Sequence, residues 1–295
     1  MKTLTHYLLL SSLVFGSLGT IAAQEKSEAK HMPPKMLNIT REFTKPGKAG
    51  TVHEKSEAAF VKAMRDAKWP THYLAMESLS GKPRSLFFTA YDSFEAMEKD
   101  ALATQKNEAF SAALERAEAA DGELLSDTDT GDFAFHEEYS LRPATDIAHM
   151  RYFDISVFRV RPGHEKDWDT LAKMYVAAYE KIPDGHWATY EAVYGQTNDT
   201  YLVIIPMKSA SEIDRSFAQG KDFVAAMGED GMKKLAELSA AAIESTQSNL
   251  FAFNPRMSYV SDDWVKADPD FWKPKPAHAA AAAPKKSEEK SEKKK

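Results

Sequence analysis

The amino-acid sequence predicts an α+β protein built from two tandem βαββαβ units, each an antiparallel sheet with two helices on one face. One observation is an internal repeat with a unit of roughly 110 residues. Another is that apolar residues alternate with polar ones in the short segments and recur at helical spacing in the longer ones. The composition agrees, because 43% hydrophobic and 11% aromatic residues in a chain of 295 can supply a substantial core.

Three pairs of similar segments, in the same order along the chain, define the repeat. The pairs are Arg41–Gly47 with Phe158–Gly163 at an offset of 116, His72–Gly81 with His186–Gly195 at 114, and Phe133–Phe135 with Phe251–Phe253 at 118. Because the offsets are so similar, we interpret the chain as a tandem duplication.

The first unit shows the pattern most clearly. Leu37 and Ile39 alternate with polar residues, which is typical of a half-buried strand. A turn at Pro46-Gly47 leads into a helix, and Ser93, with the N–H of Ala96, is a plausible N-cap for a second helical region. The predicted elements are a strand at Met36–Phe43, a helix at Gly50–Lys68, strands at Thr71–Leu79 and Ser85–Tyr91, a helical region from Ser93, and a strand at Asp132–Leu141.

The second unit follows the same order. Its long second helix is expected to break around Gly220 or Gly228–Gly231, because glycine weakens a helix interior. The predicted strands are Tyr152–Val160, Trp187–Tyr194, Tyr201–Pro206 and Leu250–Tyr259, and the predicted helices are Glu165–Glu180 and Ser209–Gln247.

This element order is that of the ferredoxin-like fold, in which a single unit leaves one sheet face bare. Together with the strand–turn–helix openings at Pro46-Gly47 and Pro162-Gly163, it resembles the dimeric α/β-barrel superfamily in its fused form, over Met36 to Ser261. The chain looks most like the antibiotic-monooxygenase and NIPSNAP-type branches. The resemblance implies two units packed sheet to sheet as a one-chain α/β barrel. Members include cofactor-free oxygenases, haem-degrading enzymes and proteins with no assigned activity, and no catalytic motif carries over to a residue here.

The ends of the chain differ in composition from the repeats. Lys2 and His6 precede an apolar run that closes on small residues, which is typical of a secretory signal peptide cleaved at Ala23–Gln24. We therefore expect export to the periplasm or the outside of the cell, with no membrane span after cleavage. The predicted segments are 1–23 signal peptide, 24–35 linker, 36–145 first unit, 146–261 second unit, and 262–295 a disordered Pro/Ala/Lys-rich tail.

Several function classes lose support. A net charge of −6 argues against nucleic-acid binding, and the absence of cysteine excludes thiolate metal sites and cysteine nucleophiles. The sequence contains no glycine-rich phosphate loop, no G-x-S-x-G and no H-E-x-x-H. The expected partner is a small molecule, and assembly into a homo-oligomer stays open.

The second strand of each unit carries the main candidate residues. Glu77 and Glu191 occupy the same strand position in both units, where burial between sheet and helices would suit an acid/base group or a ligand anchor. The structural alternative is a glutamate at a solvated strand end or paired with an arginine. His72 and His186 begin these strands at the barrel rim and could act as a base or an iron ligand, or only share a rim hydrogen bond.

Further candidates for ligand binding are aromatic or polar. Tyr73, Trp187 and Tyr190 could line an apolar pocket, and His136 matches Asn254 in position at a cavity edge. No metal site is expected, because His53, Glu54 and Glu57 fall on a helix face rich in Ala, Lys and Glu that is typical of a solvated surface.

Three functions remain. The leading one is a binding protein that holds a small apolar or aromatic ligand between sheet and helices. The enzymatic alternative, implied by the resemblance, is an oxygenase-like oxidoreductase, either a cofactor-independent monooxygenase or a haem-handling enzyme. The third is a purely structural or interaction module of the cell envelope. No resident cofactor is predicted, with haem as the alternative that the resemblance implies.

Overall fold

The computed structural model describes residues 30–197 and 199–273. The predicted signal peptide at 1–23 lies outside these ranges, as do residues 24–29 of the predicted linker and residues 274–295 of the predicted tail. The strands are β1 Met36–Thr44, β2 Tyr73–Ser78, β3 Arg84–Tyr91, β4 Leu125–Phe135, β5 Tyr152–Val160, β6 Ala188–Tyr194, β7 Thr200–Met207 and β8 Ile243–Phe253. The helices are α1 Thr51–Ala67, α2 Phe94–Lys106, α3 Glu108–Gly122, α4 Glu165–Tyr179, α5 Ser211–Ala218, α6 Gly220–Ala242, α7 Asp262–Ala267 and α8 Pro269–Trp272.

The strands form one closed antiparallel barrel in the order β1-β3-β2-β8-β5-β7-β6-β4. Each repeat contributes a contiguous half, and the halves join where β2 pairs with β8 and where β4 pairs with β6. A four-stranded half exposes two edges, and pairing those edges satisfies their backbone N–H and C=O groups. This confirms the predicted fold class of two βαββαβ units closed into one barrel.

Alternation along the strands separates the barrel interior from the helix layer. Met76, Tyr190 and Phe251 point inward and are at most 2% exposed, whereas their strand neighbours face the helices. Much of the interior is apolar, and Leu37, Phe88, Phe153 and Ile204 belong to the same cluster.

Two strands differ most from the prediction, since β4 spans Leu125–Phe135 rather than Asp132–Leu141 and β8 spans Ile243–Phe253 rather than Leu250–Tyr259. Strand β8 begins at Ile243, so the predicted helix at Ser209–Gln247 ends five residues too late. The helix is interrupted at both predicted places, because α5 ends at Ala218 just before Gly220, and Gly228 kinks α6 with a φ of 69° and a ψ of 173°. The first half of β8 is polar and exposed, so it lacks the alternation that marks a strand. Pairing with β5 makes it a strand, for example Phe158 opposite Thr246.

The segment after the second repeat is ordered as far as Lys273, so the predicted disordered tail is wrong for residues 262–273. Trp272 is 2% exposed, and its indole N–H donates to the carbonyl of Ala148 over 2.8 Å. Arg151 pairs with Asp268 and lies over the ring of Phe271. We call Asp262–Trp272 the C-terminal strap. No helix within the described ranges is long and apolar enough to cross a membrane.

Candidate functional site

A cavity of about 380 Å³ lies at the mouth of the barrel where β1, β2, β5 and β6 begin. Its walls come from inward-facing residues of both repeats. Segments outside the repeats also contribute, because Met32–Pro34 and Val260, Ser261 and Trp264 line the same space. The inward-facing wall residues include Leu37, Leu74, Phe88, Phe153, Tyr190 and Ile204.

The lining of this cavity is largely apolar, and no Asp, Glu, Lys or Arg is present among its described residues; its ionisable side chains other than tyrosine are those of His31, His72 and His186. The hydroxyl of Tyr190 donates to the carbonyl of Pro34 over 3.1 Å, which fixes the N-terminal segment over the mouth. The opposite end of the barrel differs, because a second cavity there is lined by Arg41, Lys82 and Arg84. The two ends of the barrel therefore suit different ligands.

The structure places His72 and His186 together at the rim of the apolar cavity. Both ring nitrogens of His186 face backbone carbonyls, of Asp184 at 3.0 Å and of Pro206 at 2.8 Å. His72 stacks on Tyr259 at 4.8 Å between ring centroids, and burial lowers the pKa of its imidazole. A neutral His72 can accept a proton, whereas His186 is held by the backbone.

The predicted glutamates lie elsewhere, on the outer face of the barrel. Glu77 accepts a hydrogen bond of 2.9 Å from the amide of Asn254. Glu191 accepts one of 3.2 Å from the hydroxyl of Tyr201 and lies 3.6 Å from Nε2 of His136. The contact of Glu77 with Asn254 therefore crosses the seam between β2 and β8, and that of Glu191 with His136 crosses the seam between β6 and β4.

None of Glu77, Glu191, His136 and Asn254 lines the apolar cavity. Alternation directs these residues to the face opposite the interior, toward the helix layer, so their part in holding a ligand there stays a prediction. The structure does bring Tyr73, Trp187 and Tyr190 together with the two histidines around one cavity. Five of the nine candidate residues therefore line the cavity at the barrel mouth, and of the three aromatic ones only Tyr190 is on an inward-facing strand position.

Haem is the cofactor that the resemblance implies, and the described lining offers it little beyond the rim imidazole of His72. Neither nitrogen of His186 is free for iron, because both face carbonyl oxygens. Haem carries two anionic propionates, and no Lys or Arg is among the described residues of the lining. We therefore derive no chemistry from haem in this cavity.

Comparison with solved structures agrees with this architecture. An anthrone oxidase-like protein superposes with a TM-score of 0.50 at 15% identity, over 75% of this chain and 92% of that one. The chain has the dimeric α/β-barrel fold. A mutant chlorite dismutase from Candidatus Nitrospira defluvii superposes with a TM-score of 0.46 at 9% identity, over 80% and 96% of the two chains. No family model and no curated protein matches the sequence.

Sequence reasoning missed two features of the molecule. The first is the covering of the mouth by terminal segments, for which Trp264, Phe271 and Trp272 in an otherwise polar stretch were the available signal. The second is the burial of His53 and Glu57, which are 0% and 3% exposed. The predicted solvated face is wrong for these two residues, because this side of α1 packs onto the sheet and α3.

Proposed function

We propose that the protein is exported and binds a small, uncharged, largely aromatic molecule in the apolar cavity at the barrel mouth. The observation that carries this proposal is the cavity of about 380 Å³ with a largely apolar lining that has no Asp, Glu, Lys or Arg among its described residues. This volume lies within the range of about 300–1,000 Å³ typical of small-molecule sites. A lining without carboxylate, Lys or Arg side chains disfavours ions, because a charge moved from water into apolar surroundings is costly unless it is paired.

The positions of the aromatic residues favour a flat ligand. The rings of Tyr190 and Phe135 already meet edge to face at 5.6 Å, and those of Phe88 and Phe153 lie at 6.0 Å. Aromatic pairs of this kind gain energy beyond the area that they bury. Rim atoms such as those of His72 and Ser261 supply the few polar contacts that would orient one end of a ligand.

The test is a fluorescence titration with N-phenyl-1-naphthylamine, an uncharged aromatic probe that brightens in apolar surroundings. We expect saturable binding of one probe per chain. Ala90→Trp should weaken binding at least tenfold, an energy of about 1.4 kcal/mol, because Ala90 lines the mouth and an indole would fill it. Ala101→Trp, on an exposed face of α2, is the matched control and should bind like the wild type.

Two results would contradict the proposal. One is the absence of saturable binding by the wild type. The other is equal binding by the Ala90 and Ala101 variants, which would place the probe elsewhere. A bare mass in native mass spectrometry of protein taken from its own host, together with failed probe binding, would favour the structural or interaction module instead.

A second candidate function is cofactor-independent oxidation of an aromatic substrate. The observation that favours it is His72, a base with a lowered pKa at the rim of an aromatic cavity. A suitable probe is anthrone, an uncharged tricyclic ketone, which with one O₂ gives anthraquinone and one water. Oxygen uptake that is lost in His72→Gln would support this function, and uptake equal in both proteins would refute it.

Export has its own test. N-terminal sequencing of the protein from its own host should begin at Gln24, as expected for cleavage after Ala23. A mature chain that still begins at Met1 would refute cleavage.

A further inference from the structure

Four ionisable side chains meet between the helices and the sheet of the first repeat, on the face opposite the barrel cavity. Glu42 projects from β1, and Asp121 comes from the end of α3. His53 and Glu57 lie one turn apart on α1. Their ligand atoms all lie within 4.8 Å of one another, and His53, Glu57 and Asp121 are buried. Such a cluster is costly unless its charges are compensated.

The separations around His53 match those between ligands of one metal ion. Its Nε2 atom lies 3.1 Å from Oε2 of Glu42, 3.4 Å from Oδ1 of Asp121 and 3.7 Å from Oε1 of Glu57. Ligands held at about 2.0–2.2 Å from a tetrahedral ion are separated from each other by about 3.3–3.6 Å. All four ligand atoms lie within 4.8 Å of one another, so side-chain adjustments that close the widest separations by about 1 Å would bring them onto one ion.

Several polar atoms at this place have no hydrogen-bond partner. Both carboxylate oxygens of Asp121 and Oε1 of Glu57 accept no hydrogen bond from any residue that the structure describes. A proton on Nε2 can serve one acceptor, and the hydrogen-bonded contact is to Glu42. The hydroxyl of Tyr73 is also buried and unpartnered within the described chain, and its pKa is raised by burial and by the charges of Glu57 and Glu42.

The other nitrogen of His53 is held as in known metal sites. Nδ1 lies 3.2 Å from the hydroxyl oxygen of Ser85, which is 2% exposed. Histidines that bind metals almost always donate this second N–H to a neighbour, which fixes the ring and directs the free nitrogen to the ion. Ser85 therefore acts as a positioning residue for Nε2.

The second repeat shows that the fold does not need charges here. Glu42 pairs with Ser85 between β1 and β3, and the equivalent pair between β5 and β7 is Phe158 with Tyr201. The indole of Trp168 packs against both rings, at 5.3 Å from Phe158 and 4.7 Å from Tyr201. Aromatic packing thus fills this layer in one repeat, and ionisable groups fill it in the other.

We infer that Glu42, His53, Glu57 and Asp121 bind one divalent first-row transition-metal ion, such as Zn²⁺ or Mn²⁺. An imidazole with three carboxylates and no sulfur suits such ions, whereas Mg²⁺ and Ca²⁺ prefer oxygen ligands alone. The protein supplies four ligands and the site is buried, which is typical of a structural rather than a catalytic ion. The ion joins β1, α1 and α3, so it stabilises the first repeat.

The electrostatics of the site are consistent with this inference. Burial lowers the pKa of His53, but the carboxylates of Asp121 and Glu42 outweigh burial and raise it to about 10. Burial, followed by the charges of Glu42 and Asp121, raises the pKa of Glu57 to about 9. A divalent ion that binds here would displace the protons that these groups hold.

The test uses the untagged full chain, stripped with a chelator and then exposed to Zn²⁺ or Mn²⁺ at about pH 8, where fewer protons compete. Elemental analysis after gel filtration should find one ion per chain, and the midpoint of thermal unfolding should rise on loading. Cobalt(II) should give a visible spectrum typical of tetrahedral nitrogen and oxygen ligands. A chain that retains no stoichiometric metal would overturn the inference.

Variants locate the ion. Asp121→Asn and Glu57→Gln should each weaken binding more than tenfold, and Ser85→Ala should weaken it by about 10- to 100-fold, as expected for a positioning residue. Glu115→Gln, on the exposed face of α3, is the matched control and should bind like the wild type. If an Asn or Gln variant fails to fold, the cobalt(II) spectrum of the wild type still tests the ligand set, because a spectrum that is not typical of nitrogen and oxygen ligands would contradict it. Stoichiometric binding that survives in the folded Asp121 and Glu57 variants would overturn the site.

Discussion

Removing the indole of Trp272 should detach the C-terminal strap from the barrel. This side chain is 2% exposed, meets the rings of Phe253, Trp264 and Phe271, and donates a hydrogen bond to Ala148. Truncating a buried Trp to Ala costs about 3–5 kcal/mol. An energy of that size raises the population of the detached strap by about two to four orders of magnitude.

Hydrogen exchange measured by mass spectrometry tests this prediction. In Trp272→Ala we expect amides of residues 262–272 to exchange faster, whereas the barrel strands keep their protection because the strap opens locally. Probe binding at the mouth should weaken as well, because Trp264 lines the cavity. Lys266→Ala removes an exposed strap residue and should change neither property. Unchanged exchange in the strap of Trp272→Ala would refute the reasoning.

Three further predictions concern the seams, the glutamates and the rim. Gly195 and Gly47 share a φ of 76°, but a Cβ on Gly195 would lie 2.1 Å from the carbonyl oxygen of Thr130, whereas one on Gly47 meets nothing within 4 Å. Gly47→Ala should therefore cost about 1–2 kcal/mol of unfolding free energy, and Gly195→Ala clearly more, by urea denaturation. Glu77→Gln should leave probe affinity unchanged in the fluorescence titration, because Glu77 does not line the cavity. The pKa of His72 is lowered in the folded chain, so below the unfolded pKa of about 6.5 the unfolded chain binds more protons than the folded one. The free energy of unfolding should therefore decrease as the pH is lowered through this region. His72→Gln should flatten that dependence in denaturation curves recorded across this pH window.

Each of these predictions has a contradicting result. Equal losses in the two glycine variants would show that the carbonyl of Thr130 moves away without cost. A probe affinity that falls in Glu77→Gln would return this glutamate to the ligand site. The same acid dependence in wild type and His72→Gln would assign that dependence to other groups.

Much of the architecture could be predicted from the sequence because local patterns and the duplication agree. Strand β5 at Tyr152–Val160 was predicted with its observed bounds, and the cap of α2 is confirmed by the hydrogen bond from the N–H of Ala96 to Ser93 over 3.1 Å. The start of β8 could not be predicted, since its exposed polar residues are a strand only through pairing with β5. The rim positions of His72 and His186 followed from where their strands begin.

The sequence by itself determined the repeat, the βαββαβ order and the alternation that makes one sheet face apolar, because these depend on residues close together in the chain. Only the tertiary structure decided which face became the interior, and so it placed Glu77 and Glu191 outside the cavity. It also brought Glu42 and Asp121 to the buried side of α1 beside His53. A helix face in the sequence has a period and a polarity, but its burial depends on which distant strand and helix pack against it.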